Sequence, residues 1–362
     1  MKNKMIKPLA LLPVAVLMSS CATTTPPPEP YNPSLGAQAQ ADSFIGAKAQ
    51  KYNKKVDKVA ITACNVLFAK ETSASASTSA GIFDTSNRAE SRVSMIYTLT
   101  GLTAEDKQQM ADAICSKAEQ RLQKAGYQIV SFNEMKQHDR FMALQQAGKP
   151  SPYDFKVGSA TYEVFSRSGS SIFDERYIGT ASGLGQAFSA MGGNAAWQHE
   201  AVALEQAEVS GVNINILVDF AALSSSGDGA GGLASKNTAE VSGQVGLSVS
   251  GELRIKPQDE LNCWNRFGKR ECEVRANKQP TYSTLRPVNI SDKFYEKVEN
   301  VTTTGDKVAA GVTKALSFIG GGTSQDVTRY QVTVKRDTFE VAADKAVDGF
   351  IDMAVQKAKS EK

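Results

Sequence analysis

Histidine is nearly absent. The chain has 362 residues and two histidines, His138 and His199. That excludes a histidine-rich metal centre and leaves a triad hydrolase only two candidate bases. No Cys-x-x-Cys pair and no HExxH motif occur, so the familiar zinc spacings are missing as well. Positive charge is not in excess either. Lys2, Lys4 and Lys7 stand in the first residues, and without them Lys+Arg and Asp+Glu are equal at 38 each. A nucleic-acid binder would carry a clear basic surplus. The glycine run Gly320-Gly321-Gly322-Thr323-Ser324 lacks the lysine of a phosphate loop and follows a helical pattern instead of opening one, so it reads as a helix stop. His199, in Trp197-Gln198-His199-Glu200, has no nucleophile motif beside it and reads as a surface or interface residue; His138 reads as part of a solvated helix face. Nothing argues for an enzyme, a cofactor or a metal.

What is present begins with an address. Three lysines precede an apolar run at residues 8–17, too short to span a bilayer as a helix and followed by small residues. Residues 1–20 therefore read as a signal peptide. The phrase Met18-Ser19-Ser20-Cys21 resembles the lipobox of bacterial lipoproteins. That resemblance implies cleavage before Cys21, acylation of its thiol and new amine, and attachment to a membrane. Ala22 follows in place of an aspartate, which by the same resemblance implies the outer membrane with the body facing the periplasm. Acyl chains contribute about 0.8 kcal/mol per buried methylene, so two or three of them hold a soluble domain stably.

Residues 21–54 read as a lipidated linker, Pro/Thr-rich over 22–36 and polar enough beyond to be helical; the body is expected from about Lys55. Cys64, Cys115, Cys263 and Cys272 remain for an oxidising compartment and allow three pairings. Cys263 and Cys272 flank a short loop with a turn glycine, which favours a local bridge and leaves Cys64 for Cys115.

The body reads as strand and helix in alternation. Residues 56–68 are crowded and apolar, as in a buried strand; the Ser/Ala/Thr-rich 71–80 reads as a mobile loop. Thr103 and Asp106 stand at capping-box spacing before a stripe of Met110, Ile114, Cys115, Ala118 and Leu122 that Gly126 ends. A short strand at 127–131, a helix over 133–147 and a strand over 155–165 follow. The C-terminal part carries an apolar stripe at 308–319, a strand at 330–334 and a final helix through Val347 and Phe350.

The most informative stretch is residues 241–255. Val241, Val245, Leu247, Val249, Leu253 and Ile255 fall on one face, with Ser and Gln on the other, in unbroken period-two alternation. Soluble strands run about five or six residues and tilted membrane strands about nine to eleven. This face is a candidate for contact with membrane or a neighbouring subunit. The same pattern fits a long hairpin packed on the domain's own core, a reading favoured by the lack of an aromatic girdle. Together with residues 212–222 it predicts an amphipathic β-hairpin over about 212–255. The fold class expected is α+β: one domain over 55–362, a mixed sheet packed by helices, with that hairpin projecting.

The order of elements resembles one family. A helix ends in Ala125-Gly126-Tyr127-Gln128-Ile129-Val130; Tyr153-Asp154-Phe155-Lys156-Val157-Gly158-Ser159 opens a strand; a Gly/Ser-rich insertion and an alternating strand ending Leu217-Val218-Asp219-Phe220 follow. This is similar to the curli-secretion-channel lipoproteins and relatives with an anticodon-binding-like periplasmic domain, over residues 55–260. The resemblance implies a homo-oligomeric ring whose subunits give hairpins to a shared barrel, with secreted or surface proteins as partners. The Cys263–Cys272 loop and residues 281–330 have no counterpart in it.

Overall fold

The computed structural model describes residues 31–77, 91–157, 159–173, 195–227, 239–303, 306 and 324–360. Cys21, the expected leader and tether through residue 30, the 308–319 stripe, the glycines at 320–322 and most of the Gly/Ser-rich insertion lie outside them. Tyr31–Lys362 forms one compact unit. It is α+β: six helices and a mixed sheet of 12 strands among the described residues, with a separate two-stranded hairpin.

The first surprise is where the body starts. Helix α1 (Ala37–Phe44) and strand β1 (Ile45–Lys48) belong to it, ahead of the expected Lys55. Phe44 and Ile45 are buried, and β1 pairs antiparallel with β11 (Thr281–Thr284). Polar spacing hid a strand of only four residues that gains its partner from far along the chain.

The centre is β2 (Lys58–Ser77). Its apolar half is completely covered from Val59 to Ala69. It continues through Glu71–Ser77, a strand where the Ser/Ala-rich composition predicts a mobile loop, because β3 (Ser91–Thr100) pairs with it there. Small residues with no strong propensity form strand when a neighbour supplies the ladder. A register shift lies between Ile61 and Ala63, where β2 meets β7 (Ser210–Gly227) in parallel. The extra residue, Thr62, changes the phase of the pleat. Ile61, Cys64, Val66 and Phe68 thereby share one face with Val212, Ile214, Ile216 and Val218, although sequence alternation alone would separate Ile61 from Cys64.

That face carries the two long helices. Helix α2 (Ala104–Lys124) begins at Thr103 in the expected capping box with Asp106. Its stripe of Met110, Ile114, Ala118 and Leu122 is buried, and Cys115 is joined to Cys64. Gly126 follows with φ +95°, the left-handed turn that glycine permits. Next come β4 (Gln128–Val130), then two helices in place of the single expected one, α3 (Phe132–Met135) and α4 (Asp139–Ala147). The single expected strand over 155–165 is likewise a hairpin, β5 (Tyr153–Val157) with β6 (Ala160–Ser166), paired Val157 to Ala160 across the turn.

Helix α5 (Ala196–Ala207) leads into β7, and β8 (Ala239–Lys256) returns antiparallel to it. The long hairpin is therefore present. β9 (Asn262–Arg266) and β10 (Lys269–Glu273) make the small hairpin; β12 (Val288–Ile290) pairs with β8, and β13 (Tyr295–Asn300) with β14 (Ser324–Val334). Helix α6 (Arg336–Ser360) closes the core, burying Phe339, Val347, Phe350 and Ile351. It lies so close to β8 that a β-carbon on Gly251 would stand 2.5 Å from the Phe350 ring. Arg121 of α2 meets Asp352 of α6 at 2.5 Å, and Lys117 meets Asp344 at 3.0 Å, so ion pairs border the seam between the two helices.

Candidate functional site

The site grows from the way β2 changes partners. Over Val59–Phe68 its one edge is held by β7, and from Glu71 to Ser77 by β3. β6 occupies the opposite edge over Asn65–Thr72. β7 must therefore leave as β3 arrives. It leaves at Val218, and a register shift against β8 follows between Asp219 and Ala221. Beyond it, β7 and β8 run on as a ribbon to the pair Gly227–Ala239. Among the described residues this part of β7 has a strand on one side only. Its other edge presents unpaired backbone donors and acceptors, the usual template for another strand.

The expected alternating face divides at this point. Leu247, Val249, Leu253 and Ile255 are almost completely buried in the chain's own core, with Leu247 and Val249 facing Ile290 and Val288 of β12. As a surface for membrane or subunit these four are a correction: α6 and β12 cover them. Val241 and Val245 lie on the distal ribbon and are half-buried. There the ribbon meets β3. A β-carbon on Gly243 would come within 2.9 Å of the Tyr97 ring and 3.0 Å of the Met95 sulfur. Tyr97 in turn stacks on Tyr330 of β14, with centroids 4.9 Å apart. Burial, then the neighbouring Tyr330, pushes the Tyr97 phenol up.

A cleft of about 460 Å³ opens where the ribbon departs, lined by Thr72, Ser73, Ser75, Ser159, Tyr162 and Asp219 among others. Among its described lining residues the one charged group is Asp219. Tyr162 of β6 and Asp219 of β7 sit on the same sheet face, on either side of β2, and the phenol reaches both carboxylate oxygens at 2.9 Å. Burial pushes the Asp219 carboxyl up to about 6, against the opposing pull of the Tyr162 hydrogen bond. Burial first, and then the adjacent carboxylate, raises the Tyr162 phenol. Hydroxyls around one carboxyl make this cleft suited to a polar or cationic group.

Nearer the base of the same sheet face, α5 covers a polar layer. Thr62 donates to Glu200 at 2.6 Å, Lys256 pairs with the other oxygen of Glu200, and Asn65 donates to Asn215 at 2.9 Å. Glu200, Asn213 and Asn215 are essentially inaccessible. His199, beside Glu200 on α5, is buried and faces α4, not solvent. Its Nδ1 accepts from Arg140 at 3.3 Å, and burial followed by Arg140 and Lys269 lowers its basicity. A guanidinium partner keeps the ring neutral and offers no route to a triad. His138 precedes α4 without a side-chain cap.

Both cysteine pairs are bonded: Cys64–Cys115 with Cα atoms 5.9 Å apart, and Cys263–Cys272 across facing positions of β9 and β10. Glu205 approaches the second pair, with an oxygen 3.6 Å from the Cys272 sulfur. Two sulfurs spent on each other are poor metal ligands, and Glu205 is engaged by Arg270. Among the described residues no helix is long and apolar enough to cross a membrane. The sequence signal missed Asp219 as a site residue. Its place inside an alternating strand, with an acid on the face that otherwise carries Asn213, Asn215 and Leu217, was the available clue.

No protein-family model, no curated protein and no solved structure matches this chain.

Proposed function

We propose that this chain is an outer-membrane-anchored lipoprotein that acts, as a homo-oligomer, in the assembly or secretion of surface material. The observation that carries the reading is the distal ribbon, Asp219–Gly227 with Ala239–Ser248, whose β7 edge has no strand against it among the described residues. An edge of that length invites pairing, and a second copy of the same chain is always at hand to provide it. The lipobox phrase ending in Cys21 supports the anchor, and the near-neutral charge of the body argues against a nucleic-acid partner.

A second reading is favoured by one specific observation. The proximal face, Leu247 to Ile255, packs entirely within its own chain, and Met95 and Tyr97 press on the ribbon beyond it. A monomeric periplasmic binding or scaffold lipoprotein, with no pore, would need nothing more.

Light scattering on the detergent-extracted, lipidated protein separates the two. A discrete mass several times that of one chain supports the oligomer. A clean monomer overturns it and leaves the tethered scaffold.

A further inference from the structure

The small hairpin β9–β10 turns at Phe267-Gly268. Both residues have positive φ, 48° and 76°. Two-residue turns of this kind favour Asn-Gly or Asp-Gly, because a bulky side chain strains left-handed backbone. Phenylalanine is held there against its own preference. It is also 91% exposed, the most exposed large apolar side chain among the described residues. Backbone and solvation both disfavour an aromatic at this point, so its use lies outside the chain.

The surroundings say what kind of contact it makes. Every residue from 265 to 270 is exposed, and the six include Arg266, Lys269 and Arg270 with no acid. Arg270 is committed to Glu205. Arg266 lies over the Phe267 ring at 5.5 Å, and Lys269 follows the turn on the other strand. The stalk is stiff. Cys263 and Cys272 are bridged, the Trp264 indole donates to Glu271 at 3.0 Å, and Cys272 packs with Ala201 and Val202 of α5. The result is one aromatic wedge on a stapled support, between two cations.

We propose that this tip is a membrane-docking finger: Phe267 enters the boundary between headgroups and acyl chains of an anionic phospholipid surface, while Arg266 and Lys269 meet its phosphates. A protein partner fits less well. A stable protein interface buries about 800 Å² on each side around a pocketed anchor, and a convex two-residue tip offers far less. A bilayer boundary accepts a convex apolar wedge, and its anionic headgroups complement the flanking charges. The finger stands apart from the proposed function, requiring neither the oligomer nor the distal ribbon.

The test uses residues 31–362, a compact unit by itself that carries no acyl chain. It is floated with vesicles of phosphatidylglycerol mixed with phosphatidylcholine, and with phosphatidylcholine alone. The expected result is flotation with the anionic vesicles only, weakening as salt rises. Phe267→Ser lowers the partition coefficient about tenfold, the order expected for losing one buried aromatic side chain. Arg266→Gln together with Lys269→Gln removes the preference for anionic lipid. In Phe267→Trp the emission shifts to the blue and is quenched by brominated acyl chains. Because the ring is exposed, circular dichroism of these variants should match the parent. Absence of flotation overturns the proposal. So does undiminished binding by Phe267→Ser, which would put the contact on another surface such as the exposed lysines at 51–58. A Phe267→Trp signal moved by a soluble envelope protein but not by vesicles overturns it in favour of a protein partner.

Discussion

The phenol of Tyr162 donates to both oxygens of Asp219, at 2.9 Å each, from the far side of β2. The contact ties β6 to β7 at the point where β7 gives up its pairing with β2 and becomes the distal ribbon. Three strands are thus held together by one side-chain pair where the backbone ladder ends.

That pair should be visible in the pH dependence of stability. Burial pushes the Asp219 carboxyl up to about 6 from its ordinary value of 3.8. The folded chain therefore holds this proton more tightly than the unfolded chain. Stability falls as pH rises between those two values and is fully diminished above pH 6, by at most roughly 3 kcal/mol before solvent screening reduces it. Asp219→Asn keeps an acceptor for Tyr162 and removes the charge. It is expected to be more stable than the parent at pH 8 and equal to it below pH 4, by urea midpoints. A difference of the same size at both pH values would rule out the carboxyl as its source. Tyr162→Phe should act the other way at pH 8, costing about 1–3 kcal/mol by leaving the carboxylate without its donor.

The two halves of the alternating face should respond differently to charge. Leu247 is buried beside β12, and Leu247→Arg places an unpaired cation in the core. Loss of the cooperative unfolding transition is expected. Val241, half-buried on the ribbon, should accept Val241→Arg within about 1 kcal/mol of the parent. The same variant read by light scattering tests whether the ribbon carries the oligomer. If Leu247→Arg folds normally, the core placement of β8 is wrong.

The disulfides should contribute unequally. Cys64–Cys115 spans a sequence separation of 51 and joins the central strand to its covering helix. Replacing both with alanine should lower stability by about 4 kcal/mol if chain entropy dominates. Cys263–Cys272 spans a separation of 9 within one hairpin whose tip is exposed. By the same relation its removal should lower global stability by less, about 2.5 kcal/mol, while accelerating amide exchange first in β9 and β10. Hydrogen exchange and denaturant titration on the two double variants separate these outcomes.

At the start of α2, Thr103→Ala should cost about 1 kcal/mol at neutral pH. Hydrogen bonds from Thr103 hold the Asp106 carboxyl below its ordinary value. The contribution of this depressed acid is present above pH 3.8 and is lost as pH falls through the folded value. The deficit of Thr103→Ala should therefore narrow in strong acid. A deficit independent of pH would assign the effect to the Asp106 N–H donated to the Thr103 hydroxyl alone.

Much of the fold was legible because it depends on local pattern. The Thr103–Asp106 box, the stripe of α2, the stop at Gly126 and the long pair β7–β8 all follow from periodicity and capping, which neighbouring residues decide among themselves. The continuation of β2 through Ser and Ala, the strand β3 and the short β1 were not legible. Their residues carry no strong preference, and each becomes strand because a distant partner offers hydrogen bonds. The bulge at Thr62, which brings Ile61 and Cys64 to one face, is invisible to any fixed period.

The sequence by itself determined that the chain has amphipathic strands too long for an ordinary sheet, a capped helix to cover them and cysteines for two bridges. It also marked a turn glycine between Cys263 and Cys272; the positive φ of Phe267 beside it came from the structure. Only the tertiary structure decided which half of residues 241–255 is core and which is ribbon. Alternation states that a strand has two faces; what lies against each face depends on where α6, β12 and β3 arrive, and those contacts are made across the chain. For the same reason Asp219 became a site residue only when the fold set Tyr162 opposite it.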